Sequence, residues 1–192
     1  MDFSQIISGH LTEHLAAVEK LRAQQPLIED LAKRILACLA AGNKVILFGN
    51  GGSAADAQHI AAEFVVRYRR NRKALPAIAL TTDTSILTAG ANDFGFESVY
   101  ARQVEALAHK GDFAIGISTS GNSRNVVLGL KAAREAGCHT VAFTAEQGGE
   151  CAATAEVTFR APSPVTARAQ ECHLLVGHIL CDLVEEAILA EG

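Results

Sequence analysis

The sequence predicts an α/β fold: an open, doubly wound parallel sheet of five strands, covered by helices on both faces and preceded by a helical pair. Three observations lead there. Five short, continuous apolar runs recur along the chain, which is how strands buried on both faces read. Segments of helical periodicity separate them, the alternation of a parallel sheet. The 192 residues are enough to bury a full core but few for an eight-stranded barrel, so the sheet is expected to be open.

The helical pair comes first. Ile6, Ile7, Leu11, Leu15, Val18 and Leu21 form one apolar stripe, and Leu27, Ile28, Leu31, Ile35, Leu36 and Leu39 form a second. Pro26 suits the first turn of the second helix and Gly42 marks its end. This pair, residues 1–41, is expected to pack on the core or on a neighbouring subunit. Strands are expected at Val45 to Phe48, Pro76 to Leu80, Phe113 to Ile117, Thr140 to Phe143 and Val157 to Phe159, with helices near 53–69, 96–109, 123–136 and 166–190. No repeat, linker or low-complexity tract is visible, so residues 1–192 read as a single domain.

Composition narrows the functional classes. With 49% apolar and 20% charged residues, the chain is not of the disordered type. No apolar run approaches the roughly 20 residues that span a bilayer, so no membrane partner is expected. The start, Met1-Asp2-Phe3-Ser4-Gln5, lacks the basic and apolar character of an export signal. Five scattered cysteines (Cys38, Cys138, Cys151, Cys172 and Cys181) include no C-x-x-C pair and read as core residues in a reducing compartment, hence a cytoplasmic protein. A net charge of −4 argues against a nucleic-acid partner. Arg67-Tyr68-Arg69-Arg70-Asn71-Arg72-Lys73 is a local exception. Tyr68 is its one aromatic residue, so the run is read as a solvated helix end whose charge complements the dipole.

In open parallel sheets, ligands sit beyond the carboxyl ends of the strands. Two loops there are informative. Gly49-Asn50-Gly51-Gly52-Ser53-Ala54-Ala55-Asp56 lets the backbone approach a ligand ahead of a helix, although it is neither a dinucleotide fingerprint nor a Walker loop, and a plain tight turn reads the same way. Ser118-Thr119-Ser120-Gly121-Asn122-Ser123 brings four hydroxyls to one helix N-terminus, more than a single cap requires, which favours an oxyanion role. Together the loops point to a sugar phosphate.

His59 and Glu63 are four residues apart, on one helix face about 6 Å along the axis, where a metal ion can meet both; a surface pair is the alternative. Asp56 is spaced to orient the His59 imidazole from outside. The last helix carries Gln170, His173 and His178. Gln170 and His178 are separated by about 12 Å of rise and are no ligand motif by themselves; one site can take both only through long side chains or from different subunits.

Taken together, Gly49 to Ser53, Asp56 to His59, Glu63, the Asn92-Asp93-Phe94-Gly95 turn, Ser118 to Ser123, and Gln170-Glu171 with His178 resemble the bacterial phosphoheptose isomerases of the sugar isomerase (SIS) domain superfamily. The likeness runs from about residue 5 to 188 in the same order and spacing. It implies a flavodoxin-like three-layer sheet and a homotetramer with sites at subunit interfaces. The activity it implies is conversion of D-sedoheptulose 7-phosphate to D-glycero-D-manno-heptose 7-phosphate through an enediol, the first step towards ADP-heptose and the heptose of lipopolysaccharide. It further implies Zn²⁺ on His59, Glu63, Gln170 and His178, with Glu63 as base and His178 as its acid/base partner. Substrate contacts would come from Asn50, Gly51, Gly52, Ser53, Glu63, Asn92, Asp93, Ser118, Thr119, Ser120, Ser123 and Gln170. Arg67 stands where the family places a cation near a neighbouring subunit's phosphate. Two alternatives stay open: a non-catalytic SIS relative that binds the bacterial replication initiator, against which Glu63 and His178 speak, and an SIS isomerase for another sugar phosphate.

Overall fold

A computed structural model describes residues 1–191. Five strands, β1 (Val45–Gly49), β2 (Ala77–Ala79), β3 (Phe113–Ser118), β4 (His139–Thr144) and β5 (Val157–Arg160), lie parallel in the order β2-β1-β3-β4-β5. This is the flavodoxin-like order, with its switch point between β1 and β3. Every residue of β1 and β3 is buried, because side chains alternate between two separate cores. Val45, Leu47, Phe113, Ile115 and Ile117 meet α2 (Gln25–Ala40), α3 (Gly52–Val65) and α8 (Thr166–Glu191) on one face. Ile46, Phe48 and Ala114 meet α5 (Val99–Leu107) and α6 (Arg124–Glu135) on the other. The five cysteines are all buried and free. Among the described residues, no helix is long and apolar enough to cross a membrane.

The two N-terminal helices behave differently. α2 buries Ile28, Leu31 and Ile35 against the sheet layer. α1 (Phe3–Leu21) buries only Ala17 and Leu21, leaving Phe3, Ile7, Leu11 and Leu15 exposed. Polar contacts moor it instead: Arg168 donates to the His10 carbonyl at 2.6 Å, and His14 meets Glu171 at 2.7 Å.

Several expected boundaries move. α3 stops at Val65 rather than running to 69, and the basic run after it is not a helix end. The chain turns back there, and the Leu75 N–H and the Arg72 guanidinium satisfy terminal carbonyls of α3. Two helices lie outside the expected segments. α4 (Thr84–Phe94) buries no residue and starts on an Asp83 cap to the Ile86 N–H at 2.9 Å, and α7 (Gly149–Thr154) has six residues. The Asn92 to Gly95 turn is therefore the last turn of α4, closed by Gly95 at φ 84°. A 3₁₀ turn at Phe96–Ser98 then delays the start of α5.

Candidate active site

The two informative loops leave β1 and β3 side by side at the switch point, and side chains lock them together. The Asn50 and Asn125 amides exchange reciprocal hydrogen bonds, both at 2.8 Å. The Tyr100 hydroxyl, buried under the first loop, donates to the Gly49 carbonyl. Gly51 takes φ 56°, a left-handed conformation that favours glycine, and opens α3 without a side-chain cap. Gly49 has no room for a side chain, since a Cβ there would lie 2.8 Å from the Ile117 carbonyl.

In the second loop Ser123 occupies the N-cap of α6, yet its hydroxyl makes no capping bond. It meets Ser118 Oγ at 2.9 Å instead, and Ser118 in turn lies 3.4 Å from Ser120 Oγ. Ser120 also accepts the Asn122 N–H at 3.1 Å, which curls the loop. Hydroxyls thus line the turn that opens α6; the Asn125 side chain accepts the Val126 N–H at 3.0 Å, but Ser123 caps none of the first N–H groups, an arrangement suited to a phosphate.

The titratable groups gather one layer away, where α3 and α8 cross the sheet. Gly52 lies against Gln170, and Ile60 against Gly177, so the two helices run in the same direction. That register brings His178 beside His59, Nε2 to Nε2 at 3.0 Å, while Glu63 Oε1 stands 3.2 Å from His59 Nε2. Ligand atoms of His59, Glu63 and His178 all lie within 4.8 Å of one another. A tetrahedral zinc ion holds its ligand atoms roughly 3.3–3.5 Å apart, and two imidazoles with a carboxylate are a donor set it accepts. The cluster fits such an ion. Burial, then the neighbouring His59, lowers the pKa of His178.

Residues 10–145 match the SIS domain family. Phosphoheptose isomerase from Aquifex aeolicus is 62% identical over 174 residues, covering 91% of this chain and 90% of that protein. The chain belongs to the phosphoheptose isomerase family. Its class is accordingly that of a sugar-phosphate isomerase. The structure of phosphoheptose isomerase from Neisseria gonorrhoeae superposes with a TM-score of 0.90 at 42% identity, over 96% of this chain and 100% of that one. The phosphoheptose isomerase from Francisella tularensis does so at 0.93 and 34% identity, over 97% and 100%.

Within this single chain, not every expected site residue reaches the cluster. Gln170 is the main absentee. Its amide abuts Gly52, where a Cβ would meet Nε2 at 2.3 Å, and Gly52 precedes His59 by about 10 Å along α3. Asn92 and Asp93 lie exposed at the end of α4, bonded to each other at 2.8 Å, and Arg67 is exposed beyond the end of α3. Asp56 departs from expectation too. Among the described residues it makes no hydrogen bond to the His59 ring, and its Oδ2 is buried without a partner. Burial, opposed by nearby His59, raises its pKa.

Other residues at the site carried no sequence signal. Tyr68 stacks on His178 with ring centroids 5.3 Å apart, and Asn125 and Tyr100 brace the first loop. Tyr68 was visible only as an aromatic in a basic run.

Proposed function

We propose that the chain converts D-sedoheptulose 7-phosphate to D-glycero-D-manno-heptose 7-phosphate, the opening step towards ADP-heptose and lipopolysaccharide heptose. The observation that carries this reading is the meeting of Glu63, His59 and His178 within 4.8 Å, from helices remote in sequence, in a chain otherwise so similar to phosphoheptose isomerases.

The ketose has its carbonyl at C2. Glu63 removes a proton from C1, leaving an enediolate, and the proton returns to C2 so that the carbonyl ends at C1. His178 carries the accompanying proton between O2 and O1, its imidazole standing partly buried beside His59 and Glu63. Zinc, when bound by His59, Glu63 and His178 together with Gln170, supplies Lewis-acid stabilisation of the negative charge on these oxygens. Ser118, Thr119, Ser120 and Ser123 hold the phosphate at the start of α6. Asn50, Gly51, Gly52, Ser53, Asn92 and Asp93 then face the sugar hydroxyls.

A homotetramer with sites between subunits completes this picture. What supports it is the set of residues left outside the cluster in one subunit: Gln170 stands back from His59, while Arg67, Asn92 and Asp93 are exposed. The uncovered stripe of α1 supports it as well. We place the enzyme in the cytoplasm, where its five free thiols stay reduced.

Turnover of sedoheptulose 7-phosphate by purified protein with zinc supplied is the test. Glu63→Gln or His178→Ala is expected to abolish it without changing the assembly, and a chelator to remove it until zinc is restored. A wild type without turnover that binds a replication initiator tightly would overturn the reading.

A further inference from the structure

The basic run that leaves α3 folds around one buried carboxylate. Glu185 of α8, 1% exposed, accepts three consecutive N–H groups: Arg69 at 2.8 Å and Arg70 at 2.6 Å on Oε1, and Tyr68 at 3.0 Å on Oε2. Oε2 also takes Arg72 Nε at 3.1 Å, and the Arg72 side chain is equally hidden, 2% exposed. The rest of the guanidinium turns to the end of α3. Nη2 donates to the Glu63 carbonyl at 2.7 Å and Nη1 to the Phe64 carbonyl at 2.9 Å. Both belong to the last turn, where carbonyls have no partner within the helix.

Burial alone would raise the pKa of Glu185, but the N–H donors of Arg69, Tyr68 and Arg70 and the Arg72 charge outweigh it and hold the carboxyl below its usual range. An ion pair this deep is a poor source of stability, because desolvating both charges offsets most of their attraction. Position is what it secures. Arg72 grips the backbone of Glu63 itself, and the segment clasped by Glu185 presents the Tyr68 ring to the His178 imidazole, nearly parallel at 26°.

We propose that Glu185 and Arg72 are positioning residues for the isomerisation, holding the end of α3 and the Tyr68 ring so that Glu63 and His178 keep their mutual geometry. This rests on the reading of Glu63 and His178 as the proton-transferring pair. Misplacing reacting groups by about 1 Å can cost on the order of 10²-fold in rate. The effect belongs in kcat, because both residues engage α3 and the segment after it rather than the hydroxyl-lined loop.

Steady-state kinetics with sedoheptulose 7-phosphate and zinc, well below the unfolding temperature, test this. Glu185→Gln keeps the shape but puts an amide among N–H donors. Arg72→Lys keeps a cation beside Glu185 but cannot also reach two carbonyls. Each is expected to lower kcat by about tenfold or more while KM changes by less than about threefold. Asp112→Asn is the matched control. Asp112 is a buried carboxylate at the opposite end of the sheet, accepting the N–H groups of Lys44 and His109 and the Lys44 ammonium at 2.6 Å. Its loss should lower the melting temperature and leave kcat unchanged. Wild-type kcat in folded Glu185→Gln or Arg72→Lys overturns the proposal, as does an equal fall in Asp112→Asn; if Glu185→Gln does not fold, Arg72→Lys decides. An inactive wild type would instead sink the reading of Glu63 and His178.

Discussion

His173 is 2% exposed among Phe143 and Phe159, and its Nε2 donates to the Thr144 carbonyl at 2.9 Å. Burial, only partly opposed by that bond, brings its pKa down from 6.5 to about 4. The folded protein therefore refuses a proton that the unfolded chain accepts. Stability from this residue is complete above pH 6.5 and is lost as the pH falls towards 4, about 3 kcal/mol in all. Urea unfolding at pH 7 and pH 4.5 should show that loss, and His173→Gln should flatten it. Glu185 and Asp112 have the same sign lower down. Hydrogen bonds and cations hold both below the usual range against the effect of burial, so their contribution is present above about pH 4 and disappears as each protonates. None of this was legible along the chain. A histidine in an apolar helix announces burial but not its partner, and Glu185 reads as one more acidic residue near the end of α8.

At the scale of elements, the site depends on how closely α3 and α8 approach. Gly177 permits it: a Cβ there would lie 2.5 Å from Ile60 Cδ1 and 2.8 Å from Cγ1. Ile60 is buried and β-branched, so it yields poorly. Gly177→Ala is expected to cost about 1–3 kcal/mol and to pull His178 from His59, lowering turnover. Adding Ile60→Val, which removes the clashing Cδ1, should restore part of both in thermal melts and assays. Strands were the most legible elements, since short apolar runs such as Val45 to Phe48, ended by glycine, suit strands buried on both faces. The i, i+4 pair His59 and Glu63 was legible for a similar reason, one helix face. α4 was harder to read, because its apolar stripe is short: Leu87 and Ala91 pack only partly buried against the second core and no residue is fully buried.

For the whole molecule, the exposed stripe of α1 is the feature one chain leaves unexplained. Phe3, Ile7, Leu11 and Leu15 are between 59% and 69% exposed, an apolar face at helical spacing of the kind that subunits cover. Leu11→Glu with Leu15→Glu is expected to reduce the assembly in light scattering and to lower turnover. The single chain should keep its far-ultraviolet dichroism, since neither residue belongs to a core. An unchanged mass would remove α1 from the interface.

What the sequence determined by itself is whatever repeats at short range: the five strands, the long helices, the glycine and hydroxyl loops at strand ends, and the face shared by His59 and Glu63. Tertiary structure alone decided that His178 joins them while Gln170 stands back, that the Asp56 Oδ2 is buried without a partner, and that the basic run closes on Glu185 instead of prolonging α3. The physical reason is reach. Periodicity records which residues share a face, but the register between two helices over a hundred residues apart in sequence is set by packing, here by the fit of Ile60 against Gly177.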